Sequence, residues 1–141
     1  MLVREVMNPE VLTVGEDITV KEAATTMYKK NIGSLVVVEK EKIVGIITEG
    51  DILKTIARDL DVNATLITQV MTKDVITIDP DKTIEDAVNL MTGNKIKKIP
   101  VVHDGKLVGI ITASDIVVVE PKLIESIANL ISIKTTGYRG G

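Results

Sequence analysis

Two threonine–aspartate pairs carry the side chains best placed to do chemistry. Thr48 and Asp51 stand in Gly45-Ile46-Ile47-Thr48-Glu49-Gly50-Asp51-Ile52, and Thr112 and Asp115 stand in Gly109-Ile110-Ile111-Thr112-Ala113-Ser114-Asp115-Ile116. In each stretch the Thr closes a β-branched run, Val44 to Ile47 or Val108 to Ile111, that reads as a buried strand. An apolar run at helical spacing follows the Asp. A hydroxyl and a carboxylate at such a strand-to-helix turn lie beside the free backbone N–H groups of a helix start. Two chemistries suit this placement. One is helix capping, for which Thr, Ser and Asp are preferred. The other is a ligand site, in which amides and the Thr hydroxyl face a phosphate while the Asp accepts from a ribose diol. One copy alone favours capping. Two copies with the same Gly-x-x-Thr-x-x-Asp spacing shift the balance towards a ligand, on the ground that an N-cap needs only one of the two polar residues.

Other chemistry finds little support. His103 is the single histidine and precedes Asp104-Gly105, which reads as a solvated turn. There is no cysteine, hence no disulfide, no thiolate and no His/Cys set for zinc. Neither a P-loop nor a Gly-x-Gly-x-x-Gly turn occurs. An RNA-binding sheet needs aromatic residues on its middle strands, and Val36-Val37-Val38 and Pro100-Val101-Val102 supply none. No catalytic residues and no metal ligands are expected, and the chain does not read as an enzyme.

The elements that must position the Thr and Asp residues also come in duplicate. Moving the chain against itself from residue 45 to residue 109, an offset of 64, aligns it without a gap from Val6/Val70 to Ile52/Ile116. Met7/Met71, Thr13/Thr77, Thr19/Thr83, Ala23/Ala87, Met27/Met91, Val37/Val101 and Lys42/Lys106 are among the identical pairs. Two copies are too few for a solenoid and suit a pseudo-symmetric pair. In the first copy, Leu2, Val3, Val6 and Met7 suggest a short helix or turn and Val11 to Val14 a strand. Thr19 with Glu22 forms a capping box for a helix over Val20 to Lys30, with Ala23, Ala24, Met27 and Tyr28 inward. Asn31-Ile32-Gly33 stops that helix. Leu35 to Val38 and Ile43 to Thr48 form a hairpin around a charged turn, and Asp51 to about Leu60 is a second helix. In the second copy Val75 to Ile78 is the strand, Thr83 with Asp86 the box, Ile84 to Met91 a helix ending at Gly93-Asn94, and Ile99 to His103 with Lys106 to Thr112 the hairpin. Each copy reads β-α-β-β-α, a mixed α/β (α+β) arrangement. Pro121 suits the first position of a further helix, whose apolar face includes Leu123, Ile124, Ile127, Ala128 and Ile131.

This ordered set resembles the CBS domain family in its paired form, the Bateman module. The resemblance rests on the two openings Val-Met-Asn-Pro-Glu-Val and Val-Met-Thr-Lys-Asp-Val, the helix starts Thr19-Val20-Lys21-Glu22-Ala23 and Thr83-Ile84-Glu85-Asp86-Ala87, the strand Ile99-Pro100-Val101-Val102 and the two closing Gly-x-x-Thr-x-x-Asp stretches. It implies repeats over 1–62 and 63–127, followed by a helix end and flexible tail over 128–141. It also implies a regulatory module that senses an adenosyl ligand, AMP foremost among AMP, ADP, ATP and S-adenosylmethionine, in the cleft between the repeats. No covalent cofactor is expected. By that analogy Asp51 and Asp115 hold ribose hydroxyls, and Thr48 and Thr112 serve the phosphate or ribose side. Backbone near Thr13, Val14, Thr77 and Ile78, with Ser34, Leu35, Lys98, Ile99 and Pro100, frames the base. Lys97 and Lys98 stand where the first copy has Gly33 and Ser34, so a phosphate contact, as against a solvated surface, belongs to the second copy. Many family members carry Arg or Lys between the Thr and the Asp. Glu49 stands there instead and would repel a polyphosphate, which favours AMP or a cationic adenosyl compound at the Asp51 site. A homodimer of pairs, covering the helical faces of Ala23, Ala24, Met27, Ala87, Val88 and Met91 together with the second helices, and a separate effector protein are the expected partners. The alternatives are a dimerisation scaffold without nucleotide and, more weakly, nucleic-acid binding through the lysine segment.

Composition agrees with that class. The sequence has 141 residues, 45% of them hydrophobic, two Tyr and no Phe or Trp, so the core must be aliphatic. Each copy would be marginal alone. A net charge of −3 argues against a general nucleic-acid or anionic-membrane binder. No apolar run approaches a membrane span and the N-terminus lacks a signal-peptide layout, so a soluble cytoplasmic protein without membrane contact is expected. The last stretch has no apolar period and reads as a frayed tail, unless Tyr138 or Arg139 folds back on a ligand or neighbour.

Overall fold

The computed structural model describes residues 1–128 and 130. Its elements are α1 (Val3–Val6), β1 (Thr13–Val14), α2 (Val20–Lys30), β2 (Ser34–Glu39), β3 (Lys42–Thr48), α3 (Glu49–Ala57), a 3-10 turn (Ile67–Gln69), α4 (Ile84–Asn94), β4 (Lys98–His103), β5 (Lys106–Thr112), α5 (Ala113–Val119) and a second 3-10 turn (Pro121–Leu123). Residues 124–128 continue from that turn as helix, with Pro121 at its first position. The mixed α/β character and the duplicated order are as expected. Among the described residues no helix is long and apolar enough to cross a membrane. The expectations for Ile131, Tyr138 and Arg139 lie outside the described residues.

The described residues form two compact units, Leu12–Val75 and Met1–Val11 joined to the described residues from Ile76 on. The unit of packing is therefore offset from the unit of sequence. The entry segment of each repeat is built into the unit that holds the other repeat's hairpin. In the Leu12–Val75 unit, Ile67 donates its N–H to Ile18 O at 3.0 Å, Ile46 and Thr72 bridge antiparallel, and Ile67 is fully buried. In the other unit Val3 plays the equivalent part. It is fully buried, its N–H meets Lys82 O at 2.8 Å, and Asn8 bridges Ile110. Burying one such aliphatic side chain is worth about 1.5–3 kcal/mol, so each entry segment helps to hold its unit together.

In the Leu12–Val75 unit β1, β2 and β3 form one sheet in that order, β1 parallel and β3 antiparallel to β2. The core is Val20, Ala23 and Met27 of α2 with Leu35, Val37, Ile47 and Ile67. Tyr28, expected inward, is 87% exposed. The buried face is set by Val20, Ala23 and Met27, and Tyr28 is a third of a turn beyond it. The first strand is shorter than the expected Val11 to Val14, because Val11 belongs to the other unit and Leu12 is partly exposed. α3 starts two residues before the expected Asp51 and ends at Ala57.

In the unit formed with Met1–Val11, β4 and β5 pair alone. The expected strand over Val75 to Ile78 is reduced to one parallel bridge, Ile78 with Val101. In the first copy Thr13 pairs Val36. Pro100 occupies the equivalent place in the second copy and has no N–H to donate, so the next rung cannot form. α4 runs through Gly93 to Asn94, and Lys95 takes the left-handed turn at φ 55°, as Asn31 does at φ 54° after α2. Gly93 is thus helical and not the terminator it resembled. The core joins Val3 to Ile84, Ala87, Val88 and Met91 of α4, to Ile99, Val101 and Ile111 of the hairpin, and to Ile116 and Ile127. Both capping boxes expected from sequence form: Thr19 Oγ1 accepts from Glu22 N, and Thr83 Oγ1 from Asp86 N, each at 3.1 Å.

Candidate functional site

The hairpin in each unit ends by delivering a threonine to a helix start. Thr48 is the last residue of β3 and pairs Ser34, the first of β2. Its backbone is extended, at φ −120° and ψ 167°, and α3 begins at the next residue. Thr48 Oγ1 accepts from Asp51 N at 3.2 Å. The Asp51 carboxylate accepts in turn from Thr48 N at 2.9 Å and from Thr48 Oγ1 at 3.0 Å. This is a reciprocal capping box in which Thr is the N-cap and Asp the third helical residue. It corrects the premise that capping needs only one of the two residues: here it uses both. Behind it the buried Thr55 hydroxyl is satisfied by Asp51 O at 2.8 Å. Thr13 and Val14 lie on the far side of β2, opposite Val36 and Val37.

In the other unit Thr112 pairs Lys98, and Thr112 Oγ1 accepts from Asp115 N at 3.1 Å. The box is one-sided there, with no reciprocal bond from the Thr112 backbone to the Asp115 carboxylate. Both Asp51 and Asp115 are partly buried. Leu35 and Ile99 have their side chains in the cores, so only their backbone could meet a ligand. Pro100 is buried, Lys98 is exposed, Lys97 is half-buried and Thr77 is exposed beside the buried Ile78. The fold thus joins Ser34, Thr48 and Asp51 in one unit and Lys98, Thr112 and Asp115 in the other.

Thr77 and Ile78 line a concavity of about 430 Å³ with Asp79, Lys82, Asp86, Asn89 and Leu90. Thr112 and Asp115 are not among its walls. Next to it His103 Nδ1 lies 3.4 Å from Asp79 Oδ2, and His103 Nε2 lies 3.4 Å from Asp104 Oδ2. Asp79, Asp81 and His103 bring ligand atoms to within 4.8 Å of one another, all of them exposed, a set that could hold a metal ion. Sequence reading missed it because His103 and Asp79 are 24 positions apart. Asp81 also pairs with Arg4. The Asp79 carboxyl is held below its usual range, first by the Asp81 backbone N–H and then by His103.

The two copies also differ at the seam between strand start and helix start. Glu49 N donates to Gly33 O at 3.1 Å, and the equivalent Ala113 N donates to Lys97 O at 2.8 Å. The Glu49 carboxylate lies 3.2 Å from where a Cβ on Gly33 would stand.

Comparison with known proteins agrees with this arrangement. The CBS domain model matches twice, over residues 3–58 and 67–121. A protein of Methanopyrus kandleri is 38% identical over 128 residues, covering 89% of this chain, which spans 65% of that relative's length. The CBS domain-containing protein YhcV of Bacillus subtilis is 35% identical over 117 residues, covering 82% of this chain and 83% of its own. Among solved structures, the CBS domain pair of protein MJ0100 in complex with 5′-methylthioadenosine and S-adenosyl-L-methionine superposes with a TM-score of 0.77 at 34% identity, over 84% of this chain and 98% of that one. With two family matches that span most of its length and a repeat that can be followed residue by residue, this chain belongs to the CBS domain family.

Proposed function

We propose that the chain is a regulatory module that binds an adenosyl compound and passes its occupancy to a separate effector protein. The observation that carries this reading is the likeness to a CBS pair crystallised with two adenosyl compounds. Asp51 and Asp115 are the groups for the ribose hydroxyls, since a carboxylate accepts from both hydroxyls of a diol and charge-assisted bonds are the stronger kind. Thr48 and Thr112 serve the ribose or phosphate side, and Ser34, Lys98 and the backbone of Thr13, Val14, Thr77, Ile78, Leu35, Ile99 and Pro100 serve the rest of the ligand. AMP is the nucleotide we expect to bind best. A ligand at a hundred times its dissociation constant adds about 2.7 kcal/mol to stability, so a melting panel of AMP, ADP, ATP, 5′-methylthioadenosine and S-adenosylmethionine tests the proposal. A rise with at least one compound supports it, and no rise with any at millimolar concentration refutes it.

The scaffold reading keeps one specific observation on its side: the reciprocal box at Thr48 and Asp51 satisfies both residues without a ligand. We also propose that the chain forms a homodimer, through the second helices and not through the first-helix faces that the sequence suggested alongside them. Ala23, Met27, Ala87, Val88 and Met91 are buried within their own units. Among the exposed apolar residues are two on each second helix: Leu53 and Ile56 of α3, at 68% and 57% exposed, and Val118 and Val119 of α5, at 80% and 41%. A monomer by light scattering at micromolar concentration contradicts the dimer.

A further inference from the structure

The two copies exchange charge at one pair of equivalent positions. The strand side of the seam is Gly33 in the first copy and Lys97 in the second, and the helix side is Glu49 in the first and Ala113 in the second. The same backbone bond joins the two sides in both copies, at 3.1 Å and 2.8 Å. In the first copy the helix residue supplies the bulk. The Glu49 carboxylate turns back over Gly33, so that a Cβ there would meet Oε1 at 3.2 Å and Cδ at 3.4 Å. That places a carboxylate one residue from Ser34, the cross-strand partner of Thr48, and one residue from Thr48 itself. In the second copy the strand residue carries the long side chain. Lys97 is followed by Lys98, the cross-strand partner of Thr112, while Ala113 is only 2% exposed and belongs to the core. Charge is therefore exchanged between equivalent positions: an acid paired with Gly on one seam, a base paired with Ala on the other.

We infer that this seam sets the polarity of each site. The end of the fold at Thr48 and Asp51 takes an adenosyl compound whose 5′ substituent is cationic or uncharged, which withdraws the AMP expected there from sequence, and the end at Thr112 and Asp115 takes one whose substituent is anionic. The inference rests on the adenosyl reading above and specifies which chemical class goes where. The physical ground is simple charge. One unit charge facing another at about 4 Å changes affinity roughly fivefold even in a water-like dielectric. A phosphate beside Glu49 carries that penalty, whereas one beside Lys97 and Lys98 meets charge of the opposite sign. A chain with two such sites responds to two chemically distinct adenosyl compounds at once.

The test uses the intact chain, calorimetric titration and three probes that share the adenosine: AMP, uncharged 5′-methylthioadenosine and S-adenosylmethionine, which is cationic at sulfur. Glu49 is exposed, and Glu49→Gln keeps its size, so the fold is retained and a melting curve verifies it. Glu49→Gln is expected to weaken S-adenosylmethionine roughly fivefold, to strengthen AMP at the same site by a similar factor, and to leave 5′-methylthioadenosine unchanged. Lys97→Gln is expected to weaken AMP and leave 5′-methylthioadenosine unchanged. If all three probes bind the wild-type chain and the variants shift them in parallel or not at all, the polarity inference is wrong and the adenosyl reading stands. If none binds the wild-type chain, the adenosyl reading falls and the inference falls with it.

Discussion

Gly109→Ala is a sharp test of how the entry segments are built into the units. Gly109 is a buried residue of β5. A Cβ there would stand 2.7 Å from Met7 Sδ, 3.1 Å from Met7 Cγ and 3.0 Å from the Asn8 carbonyl oxygen. That carbonyl accepts from Ile110 N at 2.9 Å, so it cannot retreat without losing the bridge between Asn8 and Ile110. Overpacking of this kind costs about 1–3 kcal/mol, and replacing Gly by Ala returns about 0.4–1 kcal/mol through the unfolded chain. The net loss expected is about 1–2 kcal/mol, or roughly 3–8 °C in melting temperature. Gly45 supplies the internal control. The three atoms nearest a Cβ there all belong to the Met71 side chain, Sδ at 2.5 Å, Cε at 2.8 Å and Cγ at 2.9 Å. The sulfur end of a methionine can swing away, so Gly45→Ala is expected to cost less, about 0–1 kcal/mol. Thermal and urea unfolding of both variants measure the difference. Combining Gly109→Ala with Met7→Ala should be less damaging than the two single losses added, with a coupling of about 0.5 kcal/mol or more. A neutral Gly109→Ala, or a Gly45→Ala that costs more, refutes the packing described here.

Other outcomes follow from the same structure. Glu41 sits at φ 69° in the β2–β3 turn, where its counterpart Gly105 sits at φ 79°. Glu41→Gly should therefore stabilise by about 1 kcal/mol, read as a higher denaturant midpoint. Hydrogen bonds from the Thr83 backbone N–H, then from its hydroxyl, hold the Asp86 carboxyl below its usual range. Its folded pKa lies below its unfolded one, so its contribution is present above the ordinary carboxylate range and is lost as pH falls through the folded value. Asp86→Asn should then melt below wild type at neutral pH and converge with it in acid, once the carboxyl is protonated in both states. Glu16 is the opposite case: Glu39 first, then burial and Asp17, raise its carboxyl. Its ionised form is disfavoured in the folded chain, so the penalty applies at neutral pH and is relieved as pH falls through the raised value. Glu16→Gln should raise the melting temperature at neutral pH and make no difference once both states are protonated.

How much of this was legible in the sequence depends on whether the physics was local. α2 runs from Val20 to Lys30 as its periodicity and its capping box indicate, since Thr19, Glu22 and the apolar stripe are within a turn or two of one another. The hairpins follow from β-branched runs and turn residues. What failed was non-local. Nothing near Val75 to Ile78 says that its partner strand offers Pro100 where an N–H is needed. Gly93 looks like a helix stop, yet the turn falls at Lys95, where Ile96 N can reach Met91 O at 3.0 Å. Repeat symmetry told where each entry segment begins but not that it packs with the other copy's hairpin, because Val3 and Ile67 look alike in either setting. At the candidate site the Thr and Asp residues were found from spacing. Their mutual box was not, because the first reading treated both as N-cap candidates when Asp51 is the third helical residue. The asymmetry of the seam is visible as composition, whereas the turn of Glu49 back over Gly33 depends on the folded chain.

The central claim is that the Asp of each pair serves a ribose and not only a helix end, and Asp115→Asn tests it most directly. Asn preserves size and an acceptor oxygen, and at Asp115 the observed cap bond is made by its backbone N–H to Thr112 Oγ1 at 3.1 Å, which the substitution leaves in place. The melting temperature of the free protein should therefore stay near wild type. A charge-assisted hydrogen bond is worth about 1.5–3 kcal/mol, so losing the carboxylate's bonds to a diol should cost AMP on the order of 2–4 kcal/mol, roughly thirtyfold to a thousandfold in dissociation constant by calorimetry. Near-wild-type melting with that loss of AMP affinity is the result the account predicts. Unchanged AMP affinity in a folded Asp115→Asn chain would contradict it.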